Sequence, residues 1–291
     1  TIQSPGYPSI VKSVRDFPII LYYRSKLSLQ PGGVGIVGSR RCTSYGKEIT
    51  LDVGDFLAKE NIPVVSGMAK GIDGYAHTAC IKSGGYTTAF LANGVDICYP
   101  SEQNILMDTI IENGAVISEY PPGVRPNPKY FPRRNYLISA WIDKLLVVEA
   151  AERSGAIITA NMAKSLGKEV FAVPNDIYKD ESKGTNRLIK EGATIFLSKD
   201  QLLTAQYHDS NIIEAKQESS VKPSAVIGEK TYRTLNAIEK SIYDALTTPK
   251  PPEELLELVN GDFGRLTDLL FSMELEGIVR DRKSTRLNSS H

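Results

Sequence analysis

The chain has 291 residues, with 34 basic and 34 acidic side chains and a formal net charge of zero. That is long enough for one large domain and a small appendage, and it carries no global field that would attract a polyanion. Three cysteines (Cys42, Cys80, Cys98) without C-x-x-C spacing and only three histidines argue against a structural zinc site and a disulfide framework, so no metal or cofactor is expected. No apolar run approaches ~18 residues and no signal peptide is visible, which makes a cytoplasmic protein without membrane contact the expectation. The chain opens on Thr1 rather than Met, and it is expected to be a fragment lacking an N-terminal segment.

In chain order, residues 1–30 form an entry segment whose run Ile19-Ile-Leu-Tyr-Tyr23 predicts an edge strand. Strands are then predicted over 34–37, 63–66, 87–91, 115–118, 144–148, 169–173 and 194–196. Helices fall between them, over 46–59, 71–83, 104–112, 135–140, 157–166 and 186–190. Repeated βα units with short apolar strands predict an α/β fold over 31–205: an extended Rossmann-like parallel or mixed sheet with helices on both faces.

Four corners of this body carry chemistry. In the first, the strand Val34–Val37 runs into Gly38, Ser39, Arg40 and Arg41. A turn glycine, a capping serine and two cations beside a helix N-terminus suit an anion, although a structural turn with solvated arginines fits these residues equally. The second corner follows the next strand, with Ser66, Gly67, Lys70 and Gly71 in its turn and Asp73 placed to cap the helix that bears His77. Lys70 is expected in the same mouth as Arg40. The third, Tyr130-Phe-Pro-Arg-Arg-Asn-Tyr136, reads as a turn stiffened by proline, in which Phe131 offers a stacking face and Arg133, Arg134 and Asn135 offer donors. Aromatics interleaved with arginines suit single-stranded nucleic acid, and a solvated basic turn is the alternative. The fourth holds Glu149 at a strand end, followed by Ser154, Gly155 and Thr159 at a helix start, where capping would also account for each. The second corner lacks a GxGxxG dinucleotide fingerprint, since Gly67 and Gly71 are four apart, and no Walker lysine spacing appears. Ligands of open α/β sheets bind at the strand C-termini, so the recurrence of such corners there favours a site.

Residues 206–230 are polar and read as a flexible linker. Beyond them, apolar positions on three successive helical faces, with Pro252 opening the second, precede a strand over 277–280, and 231–282 resembles a truncated winged helix. Residues 229–282 carry seven basic and eleven acidic side chains, with Asp262 and Asp268 around Arg265 where a recognition helix would lie. That charge suits duplex DNA poorly and a protein contact better. The stretch 283–291 has no periodic pattern and reads as an unrelated tail.

The motifs VGSR (37–40), SGMAKGID with AH (66–77), GVD..YP (94–100), SEYPPG (118–123), FP.RN (131–135), VVEA...SG...TA (147–160), VFAVP (170–174) and G.N.LI..GA (184–193) together resemble the DprA (Smf) family of DNA-processing proteins. The resemblance implies single-stranded DNA binding without sequence preference, protection of that DNA, and loading of the RecA recombinase in natural transformation. It also implies a homodimer with its face near 184–197, a missing N-terminal helical domain and no catalytic activity. It places DNA contacts at Ser39, Arg40, Ser66, Gly67, Lys70, Phe131, Arg133, Asn135, Ser154, Gly155 and Thr159. Two departures stand out. Tyr136-Leu137 replace a family arginine and isoleucine, and Asn175 replaces a glycine while tolerating a positive φ. The competing enzymatic reading is a Rossmann-like nucleotide phosphoribohydrolase using Glu149, against which stands the missing PGGxGT turn.

Overall fold

A computed structural model of the chain describes residues 1–12, 17–203, 236–246, 252–262, 265–266, 269–270 and 273. Two compact units divide it, Thr1–Glu218 and Ser219–His291.

The first unit is built on an eight-stranded sheet in the order β1-β5-β4-β3-β2-β6-β7-β8. The strands are β1 (Tyr22–Ser25), β2 (Val34–Val37), β3 (Val64–Ser66), β4 (Thr87–Phe90), β5 (Gly114–Ser118), β6 (Lys144–Val147), β7 (Glu169–Ala172) and β8 (Thr194–Ile195). All neighbours are parallel except β1, which lies antiparallel on β5 with Tyr22 opposite Ser118. The helices are α1 (Ser9–Lys12), α2 (Ser44–Lys59), α3 (Ile72–Lys82), α4 (Asn104–Asn113), α5 (Tyr130–Trp141), α6 (Gly155–Ser165) and α7 (Asp180–Lys190).

Strand alternation divides the core between the two faces of the sheet. Val34, Ile36, Leu146 and Val148 pack with Val53 and Leu57 of α2 and Ile72 of α3. Val37, Leu145 and Val147 pack with Leu137 and Trp141 of α5 and Ile157 of α6. Both faces are therefore covered, as a parallel sheet requires, and the strands read as short continuous apolar runs. The chain builds β2 to β5 outward in one direction, then returns beside β2 and builds β6 to β8 in the other. The reversal falls between β2 and β6, the position at which such sheets commonly hold ligands.

Three boundaries differ from the sequence reading by three residues or more. The edge strand begins at Tyr22; Ile19 and Ile20 are exposed, and only Leu21 of that apolar start leans on the core. Helix α5 begins at Tyr130, so the expected turn is the helix's first turn. Pro132 sits among the first four residues, whose N–H groups have no intrahelical partner, so its missing donor breaks no bond. Helix α7 begins six residues earlier than expected, at Asp180, with Asp180 and Glu181 in its first turn, where the helix dipole favours acids. Asn175 does not adopt a positive φ. Its backbone instead exchanges two hydrogen bonds with the Asn186 side chain.

In the second unit, α8 (Ala237–Ala245) is opened by a capping box between Asn236 and Glu239. Pro252 opens a 3₁₀ segment, Pro252–Val259, rather than an α-helix. Ile242, Leu255, Val259, Leu266 and Met273 close a small core of their own. The expected linker 206–230, strand 277–280 and tail 283–291 lie outside the described residues.

Candidate nucleic-acid interface

The C-terminal ends of β2, β3 and β4 open onto a cleft of about 180 Å³. Its lining includes Arg40, Gly67, Lys70, Tyr99, Phe131 and Arg134. The loop after β2 brings Arg40, the loop after β3 brings Gly67 and Lys70, and the first turn of α5 brings Phe131 and Arg134.

Two loops are fastened to each other at the cleft's base. Ile72 at the start of α3 donates its N–H to the Ser39 carbonyl at 3.2 Å. Gly71 has φ +74°, and a Cβ there would overlap the carbonyl oxygens of Ser39 and Arg40. Only glycine meets both demands. Met68 also has a left-handed backbone, φ +58°, while its side chain is fully buried. A buried methionine in that region is a strained residue held by its neighbours. The neighbours are identifiable. Asp73 Oδ2 accepts from the N–H of Gly67 at 3.2 Å and of Ala69 at 3.4 Å, and Gln103 Nε2 donates to the Met68 carbonyl at 3.1 Å.

Phe131 gathers the charge and the aromatic surface. The guanidinium carbons of Arg40 and Arg134 lie 5.7 and 5.4 Å from its ring centroid, and Tyr99 meets it edge-on at 5.9 Å. Arg40 is exposed, whereas Arg134 is only 6% exposed. Arg134 donates to the carbonyls of Gly67 and Phe90 (the latter at 2.9 Å) and to Asn135 Oδ1 at 3.0 Å. Burial brings its pKa down to about 10, with Asp73 acting in the opposite sense. Lys70 reaches the Glu102 carboxylate at 3.3 Å across the mouth.

The structure sorts the residues singled out from sequence. Arg40, Gly67, Lys70, Phe131 and Arg134 meet in one cleft, and Gly38 and Ser39 form the turn beneath it. Ser39 is not the cap of α2; its hydroxyl accepts from the Arg41 N–H, and Thr43 caps the helix. Arg41 is exposed outside the cleft lining. Ser66 is fully buried and donates to the Ile36 carbonyl at 2.6 Å, so it ties β3 to β2 rather than facing a ligand. Arg133 turns away and binds the Glu119 carboxylate, with Nε 2.9 Å from Oε2. Asn135 bridges Arg134 and the Gly155 carbonyl at the start of α6. Ser154 is the N-cap of α6, although its side chain makes no capping bond. Thr159 is buried, with its hydroxyl on the Gly155 carbonyl. Asp73 does not cap α3 but braces the preceding loop. His77 pairs with Thr87 rather than Asp73.

Glu149 is fully buried at the end of β6. Its carboxylate accepts from the Thr43 N–H at 2.9 Å and from the Thr43 hydroxyl, and a Cβ on Gly46 would come within 2.5 Å of it. The group is engaged at the start of α2. A Cβ on Gly38 would meet Ile72 and the Glu149 carbonyl oxygen, so the turn after β2 is closely packed there. Burial pushes the Cys42 and Cys98 thiols up to about 11 and Cys80 up to about 12, so none is activated near neutral pH. Among the described residues no cluster of His, Cys, Asp or Glu could hold a metal ion, and no helix is long and apolar enough to cross a membrane.

Reasoning from sequence leaves out Ala69, Leu91, Ala92, Asn93, Tyr99 and Pro100 of the lining, and of these Tyr99 and Pro100 bear on the site most. They stand in the GVD..YP motif, where an exposed tyrosine soon after a buried strand was the available signal.

The fold and the cleft define a Rossmann-like α/β protein with a cationic, aromatic-lined site at the C-terminal edge of its sheet. Residues 1–206 match the family model of DNA recombination-mediator protein A. The chain belongs to that family. It is 34% identical over 268 residues to Protein Smf of Synechocystis, covering 88% of this chain and 65% of that protein. The X-ray structure of DNA processing protein A from Streptococcus pneumoniae matches with a TM-score of 0.66 at 36% identity, covering 76% of this chain and 74% of that one. A structure of DNA processing protein A from Helicobacter pylori, described for its single-stranded DNA binding mode, matches with a TM-score of 0.62 at 28% identity over 72% of this chain and 94% of that one.

Proposed function

We propose that this chain binds single-stranded DNA through the cleft over β2–β4, without sequence preference, and serves natural transformation or recombination by protecting the strand and loading the RecA recombinase onto it. The observation that carries the reading is the convergence of Arg40, Lys70, Phe131 and Tyr99 on one open cleft. Two cations at its mouth neutralise phosphates and two rings offer stacking faces, at ~1–3 kcal/mol per stacked base, and neither kind of contact depends on which base is present. The Helicobacter relative's single-stranded DNA binding supports the same reading. The protein acts by binding, and no bond-making step is proposed.

The partner contacts belong to the same proposal. The short outer strand β8 leaves Ile195 and Leu197 exposed, the latter at 72%, which suits a homodimer face near 184–197 and a RecA contact overlapping it. The acidic segment 231–282 is proposed as a protein-contact module. The test is a titration with labelled oligo-dT at two salt concentrations. Affinity is expected to fall with salt, and Arg40→Ala to weaken binding to every base composition alike. Salt-independent binding, or a loss confined to one composition, would contradict the reading. Incubation with nucleoside monophosphates is expected to release no free base.

A further inference from the structure

We infer that the buried Asp73–Arg134 pair is a positioning device: it holds the 67–70 loop in its strained form so that Lys70 and Phe131 face the strand, and neither charge touches DNA. This rests on the single-strand reading of the cleft.

Three observations carry it. First, both groups are buried and both hold the backbone of the loop. Asp73 accepts from two backbone N–H groups on either side of Met68, and Arg134 donates to the Gly67 carbonyl between them. Gly67 is thus gripped at both its N–H and its C=O. Second, the two charges close over that residue. A Cβ on Gly67 would overlap the Arg134 guanidinium and come within 2.9 Å of Asp73 Oδ2. Third, Arg134 joins the elements that form the cleft. It bonds the loop after β3 at Gly67, the end of β4 at Phe90 and the side chain of Asn135 on α5, and it lies against Phe131. A planar guanidinium with five donors can span these acceptors at once, and an ammonium cannot.

The strain gives the pair something to do. Met68 sits in a backbone region that a methionine leaves unless it is held. Relaxing the loop would rotate Gly67 and Ala69 and carry Lys70 away from Arg40. A positioning group and a phosphate ligand then differ in a measurable way. Each lost phosphate contact lowers the slope of log affinity against log salt by about 0.7 on a single strand, so an acidic group whose removal lowers the slope acts through a cation that it positions.

The experiment uses the full chain and oligo-dT at several salt concentrations, comparing wild type, Arg40→Ala, Asp73→Asn, Arg134→Gln and the Asp73→Asn/Arg134→Gln double variant, each checked for folding by thermal denaturation. Arg40→Ala is expected to lose about 0.7 in slope. Asp73→Asn is expected to bind about tenfold more weakly and to lose about 0.7 in slope, because the relaxed loop withdraws Lys70 although an acid holds no phosphate itself. Arg134→Gln is expected to do the same, and the double variant to lose no more than the weaker single, since both groups hold one loop. If Arg134→Gln fails to fold, Asp73→Asn decides alone. Additive losses in the double variant would overturn the inference, as would wild-type affinity and slope in folded Asp73→Asn. If wild type does not bind oligo-dT, or Arg40→Ala leaves affinity and slope unchanged, the single-strand reading itself has failed and the inference falls with it.

Discussion

Arg40 and Arg134 carry the same charge and lie against the same ring, yet their surroundings assign them different work. Arg40 is exposed at the mouth, so its guanidinium is available to an incoming phosphate. Phe131 is the ring both share, and replacing it with leucine keeps the apolar contact while removing the stacking face. Phe131→Leu is expected to weaken oligo-dT binding about fivefold or more, with the salt slope unchanged, since stacking contributes ~1–3 kcal/mol per base and releases no counterion. His77 gives a second prediction at this scale. Thr87 donates its hydroxyl to the Val64 carbonyl at 2.8 Å, so the 2.6 Å contact must be His77 Nδ1–H donating to Thr87, leaving Nε2 bare. Burial, and secondarily Arg134, bring the His77 pKa down to about 3. In the unfolded chain it titrates near 6.5, so below that pH the unfolded state takes up a proton that the folded state refuses until about pH 3. The contribution to stability is therefore complete above pH 6.5 and is lost progressively down to about pH 3. Melting temperature is expected to fall across this window, and His77→Gln to flatten that limb.

At the level of elements, the cleft depends on two loops meeting and on α2 starting where it does. Gly71→Ala forces a side chain into the Ser39 and Arg40 carbonyls and onto an unfavourable φ. It is expected to lower stability by about 1–3 kcal/mol in urea unfolding and to weaken DNA binding as well, because the displaced loop carries Arg40. Thr43→Ala removes the cap of α2 and one partner of Glu149. An expected loss of about 1–2 kcal/mol should come with an unchanged salt slope, since neither group faces the cleft. The strands were legible because burial on both faces writes each of them as a short apolar run between turn residues, as Val34–Val37 illustrates. The start of α5 was not, because Pro132 signals a turn unless it happens to fall among the first few helical residues. The same helix explains what could not be read of the site. Arg133 and Arg134 are adjacent in sequence and separated by about 100° around the axis, so the rotation of α5 alone decides which enters the interior. Sequence offers both as donors; packing sends one to Glu119 and buries the other. Tyr99 arrives through an irregular connection after β4, where no periodicity announces its direction.

On the scale of the whole molecule, the first unit contains the sheet, the cleft and every residue invoked in binding. Deleting 229–291 is therefore expected to leave oligo-dT affinity within about threefold, measured by the same titration at low salt, because that stretch brings no surplus of cations. A loss of two decades would assign DNA contacts to that unit. The engagement of Glu149 at the start of α2 ties two parts of the sheet together. Its carboxylate, just past the end of β6, accepts from the Thr43 N–H and hydroxyl, and a side chain at Gly46 would have to displace it. The helix that follows β2 and the end of β6 are thereby held in a common register. A shift of either would be passed to the other and to the turn between them that carries Arg40.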